Sequence, residues 1–222
     1  MVFGFVPSKI TGNEKTLTSD SFGTLNIPNE YSYQNLMSPI INQGSSSTCV
    51  PCSISAVYDY YNAVKKPNTQ HNNKFSSTHI SIDQIYNART NSEEGMSFKE
   101  ALTFCKNTGV VTAEEYKSNN LSKAVKIKDF AKIGSSIVMK YSLIINGPGL
   151  IAMLVKDDYK TDFWNGSGNY GGHAVSVVGY NDSKSSFIIR NSWGTSYGTN
   201  GYALLPYDDF NKRVIEAWAI IM

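Results

Sequence analysis

The chain has 222 residues, 41% hydrophobic and 17% charged, with a formal net charge of +2. That length can bury a substantial core in one large domain or two small lobes, and the composition is that of an ordinary soluble globular protein. Basic and acidic residues are interspersed, so neither nucleic acid nor an anionic membrane is an expected partner, and no apolar run approaches the ~20 residues of a membrane span. Met1 to Ile10 lacks a charged leader and is broken by Pro7, so it does not read as a signal peptide. Three cysteines allow at most one internal bridge. That fits a reducing compartment, and an intracellular or virion-associated location is expected over classical secretion.

Residues 1–26 mix Gly, Ser, Thr, Asn and Pro with isolated aromatics and show no sustained period; they read as an extension lying on something else or as a tail. Ile27 to Ile41 is extended, punctuated by Pro28 and Pro39. It leads to a Gln43-Gly44 turn, a loop of small hydroxyl residues, and a helix opened by Cys49. Ile54, Val57, Tyr58 and Tyr61 give that helix one apolar stripe, and its end is expected near Lys65-Lys66-Pro67. Asn68 to Thr78 is a polar loop. Ser81–Gln84 and Ser97–Glu100 have the form of capping boxes, opening a short helix to about Arg89 and a longer one ending at Gly109. A helix is also expected over Ser135–Asn146, stopped by Gly147-Pro148. Leu150–Val155, Ala174–Tyr180, Phe187–Asn191, Tyr202–Leu205 and Val214–Ile221 are short apolar runs between turn residues, which are strand signals. Helices first and strands later predict an α+β fold of two packed lobes, with an antiparallel sheet or barrel in the second.

Cys49 falls at a helix N-terminus, where unpaired N–H groups and the helix dipole favour a thiolate. A reactive thiol needs a base and a group to orient that base. Of the three histidines, His71 and His79 flank the polar loop and read as solvent-exposed. His173 follows Gly171-Gly172, which permit close backbone approach, and starts a rigid strand. Asn191 ends another strand and offers an amide carbonyl to an imidazole N–H, with Trp193 beside it to shield that bond. Each signal alone has an ordinary structural explanation.

Taken together they resemble the papain-like cysteine peptidases. Gln43-Gly44, four small residues, Cys49 and Ser53 match the family's nucleophile motif in spacing. His173-Ala174-Val175 with Val178-Gly179-Tyr180, and Asn191–Gly194 with Asn200-Gly201-Tyr202, match its later motifs. His173 and Asn191 lie 124 and 142 residues after Cys49, near the family's usual separation of about 130–150 residues. The likeness runs over residues 27–222. It implies a helical lobe over about residues 44–118 and a β-barrel-like lobe over about 119–222 plus 27–43, with a cleft between them. It implies that Cys49 attacks a peptide carbonyl as a thiolate paired with protonated His173, that Asn191 orients the imidazole, and that the Gln43 amide and the Cys49 N–H hold the oxyanion. Substrate peptide is expected near Gly95, Met96, Gly171, Gly172 and Ala174, with Trp193 on the leaving-group side. Ala152 and Ala174 are candidate walls of an apolar side-chain pocket, and Glu216 is a candidate for its floor that would favour a basic residue. No cofactor or metal is implied, polypeptides are the expected partners, and a monomer is expected.

Ser46 replaces the family's usual cysteine and Val50 its usual tryptophan, and no long helical propeptide precedes residue 27. A bacterial or viral branch fits these departures. Residues 1–26 are then a candidate autoinhibitor running across or beside the cleft. A metal site drawing on the three Cys and three His is disfavoured, because no spacing pairs C-x-x-C with a second ligand pair. Two further readings stand beside the peptidase. One is a thiol-disulfide oxidoreductase using Cys49-Val50-Pro51-Cys52, which predicts a preceding strand in a βαβ unit. The other is a catalytically silent binding protein of peptidase shape. Cys52 and Cys105 read as core residues, and a bridge between them is open.

Overall fold

Helix α1, Cys49–Lys65, begins where the Thr48 carbonyl accepts the Cys52 N–H at 2.9 Å, and Pro51 sits in its first turn, where no intrahelical donor is lost. The structure, a computed structural model, describes residues 3–65, 79–91, 94–156 and 169–222; the polar loop over Asn68–Thr78, with His71, lies outside the described residues. Residues 49–60 of α1 are all buried, rather than one stripe of them, because sheet and helices flank the helix on opposite sides.

Among the described residues α2 (Ile82–Asn87) and α3 (Phe98–Asn107) pack on α1, and α4 (Ala113–Lys117) packs on α2. Ser81 and Ser97 cap α2 and α3 through the N–H groups of Gln84 and Glu100. The reciprocal half of each expected capping box is diverted: the Gln84 side chain accepts from the Val111 N–H at 2.9 Å, and the Glu100 carboxylate binds Thr90. The complete box is Thr112 with Glu115, at the start of α4, a helix too short to show a period in the sequence.

Among the described residues eight strands form one sheet, two from the N-terminal segment and six from the second half: β1 (Thr16–Leu17), β2 (Glu30–Ser32), β3 (Asp129–Ile133), β4 (Gly149–Lys156), β5 (Tyr170–Asn181), β6 (Ser186–Arg190), β7 (Tyr202–Pro206) and β8 (Val214–Ile221). The order is β1-β3-β8-β4-β5-β6-β7, with β2 also paired to β5. All pairings are antiparallel except β1 with β3. The strands do not close into the expected barrel. The path ends on β1 and β7, which do not pair with each other. Helices α5 (Ser136–Asn146) and α6 (Tyr207–Arg213) pack on the sheet.

Alternation along the strands explains the nearly unbroken apolar runs. Ile151, Met153, Val175, Val177, Ala217 and Ala219 enter one core cluster with α5 and α6. Leu150, Ala152, Ala174, Trp218 and Ile220 enter a second with α1 and α3. Both faces of the central strands are therefore buried. The second cluster joins helices to sheet, and the N-terminus of α1 meets β5 along that seam. The fold is α+β, a helical lobe against an open sheet.

Candidate active site

Cys49 is the first residue of α1, so its own N–H is one of the donors that no intrahelical carbonyl can take. His173 lies inside β5, and Asn191 follows the last residue of β6. Pairing of Ser176 with Arg190 sets the register that brings His173 and Asn191 together. His173 Nε2 and Asn191 Oδ1 are 2.8 Å apart. The Ser192 N–H donates to the same Oδ1 at 2.8 Å, which fixes that atom as the amide oxygen. Nε2 must then carry the proton, and the lone pair of the neutral ring is left on Nδ1, which makes no hydrogen bond. Trp193 stacks on the imidazole with ring centroids 4.2 Å apart and planes 23° apart, covering the His173–Asn191 bond.

The chain before Cys49 is tied to the Asn191 turn. The Gln43 N–H donates to the Ser192 carbonyl at 2.8 Å, and Ser192 Oγ donates to Gln43 Oε1, leaving the amide nitrogen as donor. One of its protons goes to the Ser46 carbonyl at 2.8 Å. Arg190 is 3% exposed and donates to the carbonyls of Ser38 and Pro39 at 2.8 and 2.7 Å, clamping the segment that precedes Gln43.

Cys49 and His173 are both fully buried. Burial pushes the Cys49 thiol up to about 11, although the N–H groups of Ala174 and Gly4 face it and oppose the shift. Burial likewise pushes His173 down to about 4, against its bond to Asn191. In this conformation burial opposes both the thiolate and the imidazolium, because desolvation penalises charged forms. Cys52 and Cys105 are buried, free of any disulfide, and each pushed up to about 12 by burial; the bridge between them is not formed.

What covers the pair is the chain's own beginning. The Phe5 N–H donates to the Gly172 carbonyl at 3.2 Å, the Met96 N–H to the Gly4 carbonyl at 2.8 Å, and the Val6 N–H to the Met96 carbonyl at 3.0 Å. Phe5 pairs with Met96 in parallel and is 7% exposed, in one core cluster with Cys49, Ala152, Ala174 and Phe98. The glycines flagged in the sequence are where it fits: a Cβ on Gly171 would lie 1.8 Å from the Phe3 ring, and one on Gly172 2.7 Å from the Phe5 carbonyl. Further on, the Ser8 N–H and hydroxyl both donate to Glu216. Lys99 binds Glu14, whose carboxyl is thereby held far below the usual carboxylate range, helped by the Thr11 N–H.

Ala174 pairs with Ala152, and Ala152 with Glu216, so these three residues form one row across β5, β4 and β8. Glu216 accepts from Trp218 Nε1 at 2.9 Å as well as from Ser8.

The family model described as "Papain family cysteine protease" matches residues 27–221. The chain belongs to the papain family. This papain-family chain is 25% identical to chymopapain of Carica papaya over 237 residues, covering 95% of itself and 64% of that relative. It is 31% identical over 110 residues to a peptidase C1-like protein of Acanthamoeba polyphaga mimivirus, covering 42% of itself and 35% of that protein. It thus spans about a third to two thirds of the length of these relatives. Xylellain, a cysteine protease from Xylella fastidiosa, has the same fold, with a TM-score of 0.78, 19% identity, and 99% and 96% of the two chains covered.

Several residues around the Cys49–His173 cleft and elsewhere in the fold escaped sequence reasoning. Ser192 and Arg190 act on Asn191 and Gln43 through contacts with no local pattern. His79, expected to be exposed, is instead paired with the buried carboxylate of Asp59. Phe5 and Ser8 had no periodicity to mark them. The C-x-x-C reading fails on context, since Cys49 follows a loop and not a strand of a βαβ unit. Among the described residues no helix is long and apolar enough to cross a membrane.

Proposed function

We propose that this chain is a cysteine peptidase held closed by its own N-terminal strap. The observation that carries the reading is the neutral His173, with Nε2–H on Asn191 and the Nδ1 lone pair unengaged, in the same buried cleft as a thiol at a helix N-terminus. With the strap removed, water re-enters, and Cys49 can pass its proton to Nδ1 to give the thiolate–imidazolium pair. The thiolate attacks a peptide carbonyl. The oxyanion is stabilised by the Cys49 N–H and the second proton of the Gln43 amide, each such donor typically contributing about 2.7–4 kcal/mol. His173 gives its proton to the leaving amine, the acyl group stays on sulfur as a thioester, and water hydrolyses it with His173 as base.

Residues 3–8 occupy the cleft without being a substrate. On this reading the acyl side of the cleft is the side of Gly95, Met96 and the Ala152–Ala174–Glu216 row. A substrate brings the residues preceding its scissile bond to that side. The strap brings Phe5 to Ser8 there, the residues that follow Gly4, so its polarity is reversed and Cys49 meets no bond in the attacking geometry. The inhibitory segment is shorter than the first 26 residues. Leu17 pairs with β3 and is buried in the core, so Thr16–Leu17 belongs to the folded body.

The test is deletion of residues 1–8, which leaves β1 in place. Turnover of small fluorogenic peptide amides under reducing conditions should rise, and should vanish on Cys49→Ala or His173→Ala but not on Cys52→Ala. A folded deletion variant with no Cys49-dependent turnover and no enhanced alkylation of Cys49 refutes the reading.

A further inference from the structure

The amide of Asn191 is only half used. Its oxygen serves His173 and the Ser192 N–H, but its nitrogen, Nδ2, is buried and finds no hydrogen-bond partner among the described residues. Asn191 is 2% exposed, so bulk water does not reach it. Turning the amide over is no remedy, because the Ser192 N–H would then face another donor. A small space adjoins the amide, walled by Cys52, Ser53 and Ala56 of α1, by Ser176 of β5, and by Asn191 and Ser192, all of them buried. Its volume is ≈ 10 Å³, room for a single water. Part of the wall is polar. Ser176 donates its hydroxyl proton to the Ser53 carbonyl at 3.0 Å, which leaves the lone pairs of its oxygen to accept. A buried amide N–H without a partner is costly, and the cavities that stay dry are apolar ones.

We infer that a water molecule fills this space, accepting from Asn191 Nδ2 and donating to Ser176 Oγ, and that Ser176 is thereby a positioning residue for the site. Its proton ties β5 to α1 four residues after Cys49, one helical turn behind the thiol. Its oxygen steadies Asn191 through the water. One hydroxyl thus references both halves of the reacting pair: the helix that carries the thiol, and the amide that orients the imidazole. The effect on turnover rests on the peptidase reading, whereas the water does not.

The experiment begins with the full chain labelled with ¹⁵N-asparagine, the side-chain signal of Asn191 being identified by its loss in Asn191→Ala. Its Nδ2 protons should show NOE and ROE cross-peaks of opposite sign to the water resonance, the mark of a water held inside the protein. Two substitutions remove the Ser176 hydroxyl and differ in whether they leave room. Ser176→Ala keeps the space open, so a water can remain and donate to the Ser53 carbonyl, and the cross-peaks should persist. Ser176→Val fills the space and should abolish them. In the protein lacking residues 1–8, kcat should fall about tenfold in Ser176→Val and no more than about twofold in Ser176→Ala, with KM little changed in either. The inference is overturned if the wild-type protein shows no such cross-peaks, or if they survive in folded Ser176→Val. Equal losses of kcat in the two variants overturn the positioning role, since the hydroxyl alone would then account for them. A folded deletion variant without turnover refutes the peptidase reading, and the cross-peaks still decide the water.

Discussion

Replacing Phe5 by alanine should switch the protein on. The ring is 7% exposed, in a cluster with Phe98, Met96, Ala152 and Ala174, and its centroid lies 6.1 Å from that of Phe98. Removing a buried phenylalanine from a packed site typically costs about 3–5 kcal/mol. Here the loss falls on strap docking rather than on the body of the fold, because the strap is held there by Phe5, a few backbone bonds and the Ser8–Glu216 contact. At the lower figure of about 3 kcal/mol, the ratio of open to closed protein rises roughly 150-fold. Only open protein binds substrate, so kcat/KM for a short fluorogenic amide should rise by up to that factor. Its ceiling is the rate of the variant lacking residues 1–8. Ile10→Ala, at an exposed position just beyond the strap, serves as the control and should change little. The reasoning is refuted if Phe5→Ala and the deletion both leave kcat/KM and the alkylation rate of Cys49 at wild-type values while the fold is intact.

Other expectations follow from the same geometry. The sign of the pH dependence comes from two opposed shifts. His173 is depressed to about 4 and Cys49 raised to about 11 when covered, whereas the open pair is thiolate and imidazolium and holds the same total of protons. Closure therefore takes up or releases no net proton while that ion pair lasts. It weakens at low pH, where the open thiolate takes up a proton, and at high pH, where the open imidazolium loses one. The ratio of deletion-variant to wild-type turnover should therefore be flat across neutral pH and shrink at both extremes; a ratio that changes steadily between about pH 6 and 8 contradicts the assignment. Ser8→Ala removes one bond to a carboxylate, of about 1.5–3 kcal/mol, and should raise kcat/KM about tenfold or more, measured as for Phe5. In the strap-deleted protein, Asn191→Ala should lower kcat about tenfold or more by freeing the imidazole to rotate, with a small change in KM; an unaltered kcat would remove Asn191 from its positioning role. Cys105→Ser should cost stability without touching turnover, because the thiol is fully buried in the core.

Much of this protein is legible along the chain, where the physics is local. A serine three residues before a polar residue reads as a cap wherever the tertiary context leaves it alone, and Ser81 and Ser97 do cap their helices. The apolar runs of β4, β5, β6 and β8 emerge from composition, since strands buried on both faces need no polar alternation. Cys49, His173 and Asn191 could be named because three weak signals, at a helix start, a strand and a strand end, combine into motifs that resemble one family. The short elements β1, β2, α4 and α6 could not, because two to seven residues are too few to show a period.

The remainder was decided only by tertiary structure. Nothing within residues 3–8 says that Phe5 will meet Gly172 and Met96, or that Ser8 will find Glu216, 208 residues away. Such pairings depend on a cleft that exists only after two halves of the chain have packed together. The charge state of the site belongs to the same level. Sequence supplies a thiol at a helix start and an imidazole with an amide to orient it, which together favour an ion pair. Both are fully buried beneath the first residues of the chain, and burial opposes the charged form of each. Residue identity and local geometry thus determine which groups can react, while the long-range fold of the first residues decides whether they are exposed to do so.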